Sequence, residues 1–228
     1  MKKELIVSRY KENIDWISDV HESVDSIIVY NKGGEIEHKD PRVKIVRLKN
    51  VGREAHSYFY HFINNRYRLA EHTLTCQGDP FDHCPNFLSR LAVDWKGLTS
   101  LSTRYKQEWP PQRVVDMDLV SIRNGFEIRM GDMKYFGHRD RKTTRKWFES
   151  IWKTVFISEC PEHYYYGYSA MWSIPSKLIK YRSLAFWEYF YSILDHQYST
   201  EAYVCSIDAW AFEALWHAIL SPQYKTRL

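Results

Sequence analysis

Two short stretches hold the residues with the greatest chemical reach. In Leu74-Thr75-Cys76-Gln77-Gly78-Asp79-Pro80-Phe81-Asp82-His83 an apolar and β-branched run enters Gly-Asp-Pro, which stops a strand and leaves Asp79 just beyond its carboxyl end. Ligands of open α/β sheets sit at that edge. Asp79 and Asp82 offer hard oxygen atoms of the kind that suit Mg2+ or Mn2+ in company with a substrate's phosphates. The same residue types build a turn whose Asp caps the next helix, and spacing alone leaves both readings open. The second stretch, Asn50-Val51-Gly52-Arg53-Glu54, opens a helix whose free N–H groups and positive dipole end suit a diphosphate. Taken alone, Gly52 reads as a turn glycine.

Strands must bring these residues to a common edge. Leu5-Ile6-Val7 reads as a buried strand ending at Ser8-Arg9-Tyr10, and Asn13 as the N-cap of an amphipathic helix carrying Ile14, Trp16, Ile17 and Val20. A second strand runs from Ser26 to Asn31 and halts at Lys32-Gly33-Gly34, and a third runs from Val43 to Leu48. The helix opened at Asn50 continues through Ala55, Tyr58, Phe59 and Phe62, and the fourth strand leads to Asp79. Strands separated by helices predict parallel pairing with right-handed crossovers. Residues 1–84 therefore read as a nucleotide-binding α/β half with Arg9 and Tyr10, Asn50 to Arg53, and Gly78 and Asp79 on one rim.

Residues 85–228 read as the remainder of a single domain, the half that the resemblance given below would assign to donor sugar and acceptor. A helix passes through Phe87, Leu88, Leu91 and Ala92. Residues 164–174 form one late strand, in which small Ser169 and Ala170 mark a close approach of ligand or backbone. One long helix starts at Pro175-Ser176 and reaches Ile193. A last helix, with Ser206 or Asp208 near its N-cap, runs through Trp210, Phe212, Leu215, Trp216 and Ile219. Asp208 and Glu213 lie roughly 140 degrees apart around it, so one task does not suit both. Residues 95–160 are the least readable and contain the charged run 138–146, either a solvated face or a clamp for phosphate or acceptor.

The balance of 32 Lys and Arg against 28 Asp and Glu gives +4, which permits an anionic ligand without calling for nucleic acid. Aromatic residues make up 16% of the chain, enough to suggest that some rings line a groove, although an aromatic core is the simpler reading for most. Cys76, Cys84, Cys160 and Cys205 have no C-x-x-C or metal-ligand spacing, so four free thiols in a reducing compartment are expected. No run approaches the roughly eighteen apolar residues of a membrane span, and the opening apolar run is too short for a signal peptide. The expectation is a soluble cytoplasmic protein without a membrane span.

Five ordered blocks carry a resemblance: I-V-S-R-Y-K-E-N-x-D-W at 6–16, I-V-Y-N-K-G-G at 28–34, N-V-G-R-E-A-H-S-Y at 50–58, Q-G-D-P-F-D-H at 77–83 and A-F-E-A-L-W-H at 211–217. Together they resemble a family of small GT-A-type glycosyltransferases found in fungi, bacteria and large algal viruses. The resemblance implies a GT-A fold, a Rossmann-like nucleotide-diphospho-sugar transferase with a central mixed sheet flanked by helices. It implies transfer of a hexose or deoxyhexose, glucose or rhamnose among the candidates, from a UDP-sugar to a glycan or glycoprotein acceptor. In a virus this would serve capsid glycans in the host cytoplasm. The cofactor would be Mn2+, with Mg2+ as the alternative.

Carried over by position, Arg9 and Tyr10 would meet the uridine end. Asn50, Gly52 and Arg53 would lie by the nucleotide, and Gln77 and Gly78 beside the donor. Asp79 would be the metal carboxylate. The sequence departs from the D-x-D motif, with Gln77 standing two places before Asp79. One carboxylate with phosphates and waters still completes an octahedral shell, so metal should bind weakly without UDP. If the reaction inverts, a carboxylate takes the acceptor's hydroxyl proton; the candidates are Asp208 and Glu213, with Asp208 preferred because its helix end faces the rim. Trp172 and Trp210 are candidates to stack on sugars, with a place in the core the commoner use of either ring. Two rival functions share these residues: a sugar- or nucleotide-binding module without turnover, and a basic nucleic-acid-binding metal nuclease built on 138–146 and Asp79-Asp82-His83, which strong salt sensitivity would reveal.

Overall fold

The computed structural model describes residues 1–102, 149–161, 169–195 and 207–228, together with the backbone of three strands at 114–115, 125–129 and 163–166. Within α6, introduced below, side chains are described at 212 and from 215 onward. The main sheet begins with β1 (Lys3–Arg9), β2 (Ser26–Asn31) and β3 (Val43–Arg47), which pair in parallel, and β4 (His72–Gln77), parallel to β1 on its other side. α1 (Arg53–Asn64) connects β3 to β4. After α2 (Phe87–Ala92), β5 (Thr99–Ser100) pairs antiparallel with β9 (Trp172–Pro175), and β9 pairs antiparallel with β4. The order β3-β2-β1-β4-β9-β5 makes a mixed six-stranded sheet flanked by helices. A second sheet holds β6 (Val114–Val115), β7 (Gly125–Arg129) and β8 (His163–Tyr166), all antiparallel.

Alternation along the strands builds a core on each face of the main sheet. Leu5, Val7, Ile27, Val29, Leu74 and Cys76 pack with Ile14, Ile17, Val20, Phe87, Leu91 and Met171 on one side. Ile6, Tyr30, Trp172 and Ile174 face the other, where they meet Tyr58, Phe59 and Phe62 of α1. That side is closed by helical residues 149–155 (α3), α4 (Ser176–Tyr181), α5 (Leu184–Asp195) and α6 (Ile207–Leu220). Phe59 is its hub, with Trp216, Phe212 and Phe190 rings at 5.1, 5.3 and 5.7 Å. The fully buried Trp152, Trp172, Trp187 and Trp216 show that the core absorbs much of the aromatic content.

Cations cap the helix carboxyl ends, where unsatisfied carbonyls and the negative dipole end collect. The Lys3 ammonium, 1% exposed, donates to the carbonyls of Leu91 and Val93 at the end of α2. Arg66 donates to the Ile179, Lys180 and Arg182 carbonyls at the end of α4. Arg182 does the same for α6.

Three local expectations are corrected. The amphipathic segment after β1 is a single 3-10 turn, Asp15–Asp19, with Ile14 at its N-cap position; the Asn13 side chain accepts the Asp15 N–H at 2.7 Å as a turn. The long helix starting at Pro175 breaks at Arg182, which is extended there, and the Ser183 hydroxyl accepts the Phe186 N–H to begin α5. Apolar periodicity runs across the break because both pieces bury residues in one core. The late strand 164–174 divides into β8 and β9, which belong to different sheets. Ser169 lies between them at φ 60, and its hydroxyl bonds that of Ser102.

Candidate functional site

Parallel pairing sets the carboxyl ends of β1, β2 and β4 side by side, with Arg9 opposite Asn31 and Ser8 opposite Gln77. The Arg9 guanidinium stays within this rim. It donates to the Glu12 carbonyl at 2.9 Å, the Asn31 side-chain oxygen at 2.8 Å and the Tyr10 carbonyl at 3.1 Å, which ties two strand ends together. Gly33 permits that closeness, since a Cβ there would stand 1.6 Å from the Tyr10 oxygen. Tyr10 is the exposed member, its ring 5.0 Å from the Lys11 ammonium.

α1 opens on the same edge. Gly52 is its N-cap at φ 58, with no side-chain cap, and half-buried Asn50 stands two residues ahead. No other residue fits at Gly52, because a Cβ would meet the Leu194 Cβ at 2.7 Å and the His56 Cβ at 2.9 Å in a left-handed conformation that favours glycine. The Lys32 ammonium, buried beneath this turn, donates to the carbonyls of Val51 and Arg53. Burial pushes its pKa down to about 7 against the pull of Glu54. The helix amino terminus, Lys32 and the half-buried Arg53 bring positive charge to this corner, offset in part by the buried Glu54 carboxylate 3.5 Å from Arg53 Nε.

The loop after β4 is held by its own side chains. Gln77 donates its amide to the Asp79 carbonyl and to Asp82 Oδ1, both at 2.8 Å. Asp79 Oδ1 accepts the Phe81 N–H at 3.1 Å and so closes a local turn, but it does not cap the next helix, because α2 starts at Phe87 with Asn86 at its N-cap position. Its other oxygen takes no hydrogen bond from the described residues, and the side chain is exposed. Asp82 is committed to Gln77 and, at 3.4 Å, to His83. Among the described residues no group of three or more His, Cys, Asp and Glu side chains could by itself hold a metal ion.

Trp172 is a core residue, 1% exposed, opposite Thr75 between β4 and β9. Asp208 lies in the first turn of α6 and Glu213 in its second; their side chains, that of Trp210, Cys205 and the segment 138–146 lie outside the described residues. No described helix is long and apolar enough to cross a membrane.

Sequence reading missed Lys32, Glu12 and a pair formed across 139 positions. His56 Nε2 lies 3.1 Å from Asp195 Oδ1, with Lys49 at 2.8 Å from the same oxygen and Tyr191 stacked on the imidazole at 4.7 Å. Burial lowers the His56 pKa to about 4, with Lys32 adding to the effect and Asp195 opposing it. The folded value is thus below the ordinary one. Between pH 6.5 and 4 the unfolded chain takes up a proton that the folded chain refuses, so this stability is present above pH 6.5 and is lost as pH falls through 4. Urea melts of wild type and His56→Gln at pH 7 and pH 5 test this. The variant should lose less stability between the two values, and equal losses would refute the assignment.

Compared with curated proteins and with solved structures, the chain matches none. The family that does match spans residues 5–227, and the chain belongs to it: Protein of unknown function (DUF3431).

Proposed function

We propose that the chain is a GT-A-type glycosyltransferase that transfers a hexose or deoxyhexose from a UDP-sugar to a glycan acceptor. The observation that carries the reading is the convergence, on one edge of a parallel strand group, of the uncapped α1 amino terminus with Lys32 and of the Gly78-Asp79 turn. Positive potential for a diphosphate and an outward carboxylate oxygen for a divalent cation thus share one rim. Five sequence blocks similar to small GT-A transferases give the chemistry its direction.

Asp79 is the residue that would hold Mn2+ or Mg2+, and with one protein carboxylate the ion would be held in company with the donor's phosphates. Bound there, it would neutralise charge on the departing diphosphate. The chain's own contributions are electrostatic and positional. Arg53 and the α1 amino terminus favour negative charge leaving with the nucleotide, and Arg9 with Asn31 keeps the rim in place before any ligand arrives. Asp208 or Glu213 would take the acceptor's proton in an inverting reaction.

Melting-temperature shifts with UDP, GDP, CMP and several UDP-sugars, each with and without Mn2+, test the reading. Stabilisation by UDP that requires the metal is expected, and an equal response to GDP or CMP would count against it. A second reading, a binding module without turnover, is favoured by the use of Asp79 as a turn cap. UDP binding unchanged by Asp79→Ala, with no hydrolysis of UDP-sugar, would select it.

A further inference from the structure

We propose that Glu12 is a binding residue, a carboxylate fixed in the seam between the carboxyl ends of β1 and β4 that accepts hydrogen bonds from a vicinal diol of the ligand. The inference rests on the nucleotide-sugar reading, which supplies two such diols, one on the ribose and one on the transferred sugar.

Glu12 is anchored unlike an ordinary surface carboxylate. Its Oε2 accepts the N–H groups of Tyr10 at 2.6 Å and Lys11 at 3.0 Å, while its carbonyl accepts Arg9 Nε at 2.9 Å. The side chain lies flat on Gly78: a Cβ there would come within 2.7 Å of Oε2 and 2.9 Å of the Glu12 Cβ and Cδ. The Gly78 carbonyl in turn accepts Trp16 Nε1 at 2.9 Å, which ties the chain after β1 to the turn after β4. Rotamer freedom that a free glutamate would lose on binding is already gone.

Only one of the two oxygens is used. Oε1 takes no hydrogen bond from the described residues, and an ionised carboxylate only accepts. The neighbouring cations are engaged elsewhere: Arg9 with carbonyls and Asn31, and Lys11 over the Tyr10 ring. The seam therefore repels phosphate and favours a neutral donor. Gly78, against which Glu12 lies, immediately precedes Asp79 in the chain, so the seam adjoins the turn that carries the carboxylate assigned to the metal. That order fits a nucleotide with its ribose in the seam and its diphosphate beyond.

The test is calorimetric titration of UDP and of 2′,3′-dideoxy-UDP, both with Mn2+, and of a methyl hexoside into wild type and Glu12→Gln, alongside melting temperatures of the two proteins. Glutamine keeps an oxygen for the two amides, so the turn survives. The variant should bind UDP about tenfold more weakly and dideoxy-UDP as wild type does, the loss of a charge-assisted hydrogen bond. Equal weakening of both ligands would mean that Glu12 only shapes the turn, and unchanged binding of UDP and of a methyl hexoside would also overturn the proposal. A Glu12-dependent loss confined to the methyl hexoside keeps the diol and assigns it to the transferred sugar. Absence of any UDP binding to wild type would sink the nucleotide reading itself, an outcome distinct from UDP binding that ignores Glu12.

Discussion

Arg182→Met should lower the unfolding free energy by about 3–5 kcal/mol, because it orphans several buried carbonyls at once. The guanidinium, 1% exposed, donates to the carbonyls of Ile219 at 2.8 Å, Ala218 at 2.9 Å, Tyr224 at 2.6 Å and Ser221 at 2.5 Å. These are the last carbonyls of α6 and the chain that follows it, and among the described residues no carboxylate shares the site. Burial lowers the arginine's pKa to about 10, so the charge itself is costly to hold there. Methionine would relieve that cost, but each orphaned carbonyl costs about 1–3 kcal/mol, and four of them outweigh it. Lysine should rescue little, since a single ammonium does not reproduce the planar fork that meets carbonyls on several sides. Urea denaturation measures the change. A loss below about 1 kcal/mol would show that water or neighbouring groups replace the guanidinium. The damage should also spread toward α1, because Trp216 of α6 packs 5.1 Å from Phe59.

Asp79→Asn should abolish the dependence of UDP binding on Mn2+, weakening affinity in saturating metal by about 100-fold and leaving metal-free binding unchanged. Asparagine is the informative substitution. Its side-chain oxygen can still accept the Phe81 N–H, so the turn made by Asp79 persists while the negative charge goes. Alanine would remove both, and a larger effect on melting temperature from alanine than from asparagine would separate the turn from the ligand. Titrations of UDP with and without Mn2+ into both variants decide the matter. If the asparagine variant still binds UDP more tightly with metal than without, the cation sits elsewhere and the assignment of Asp79 fails.

Local sequence was a good guide where one physical rule governs a segment. The β-branched runs in β1, β2 and β4 became parallel strands with their polar ends on one rim, and Gly52 marked the start of α1. It misled where tertiary contacts compete with periodicity. The apolar pattern from Leu178 to Ile193 passes smoothly through Arg182, yet the side chain is drawn into the end of α6 and the helix breaks. In the same way the strand pattern of 164–174 hides the left-handed Ser169 that sends its two ends to different sheets. Trp172, which the sequence left open between a sugar platform and a core ring, is enclosed in the core, since its strand is second from the edge with α-helices over that face.

By itself the sequence determined an α/β architecture and the edge on which Arg9, Gly52, Gln77 and Asp79 gather, because strand period, glycine and proline act over a few neighbouring residues. Only the tertiary structure decided that Arg9 braces the rim, that Asp79 already caps a turn, that Lys32 is buried under Gly52 and that Glu12 is pinned against Gly78. Apart from the local Asp79 turn, those roles depend on contacts between residues distant in the chain, such as Arg9 with Asn31, 22 positions apart, or Lys32 with Val51, 19 apart. Separations of that kind are closed by packing and leave no periodicity behind in the chain.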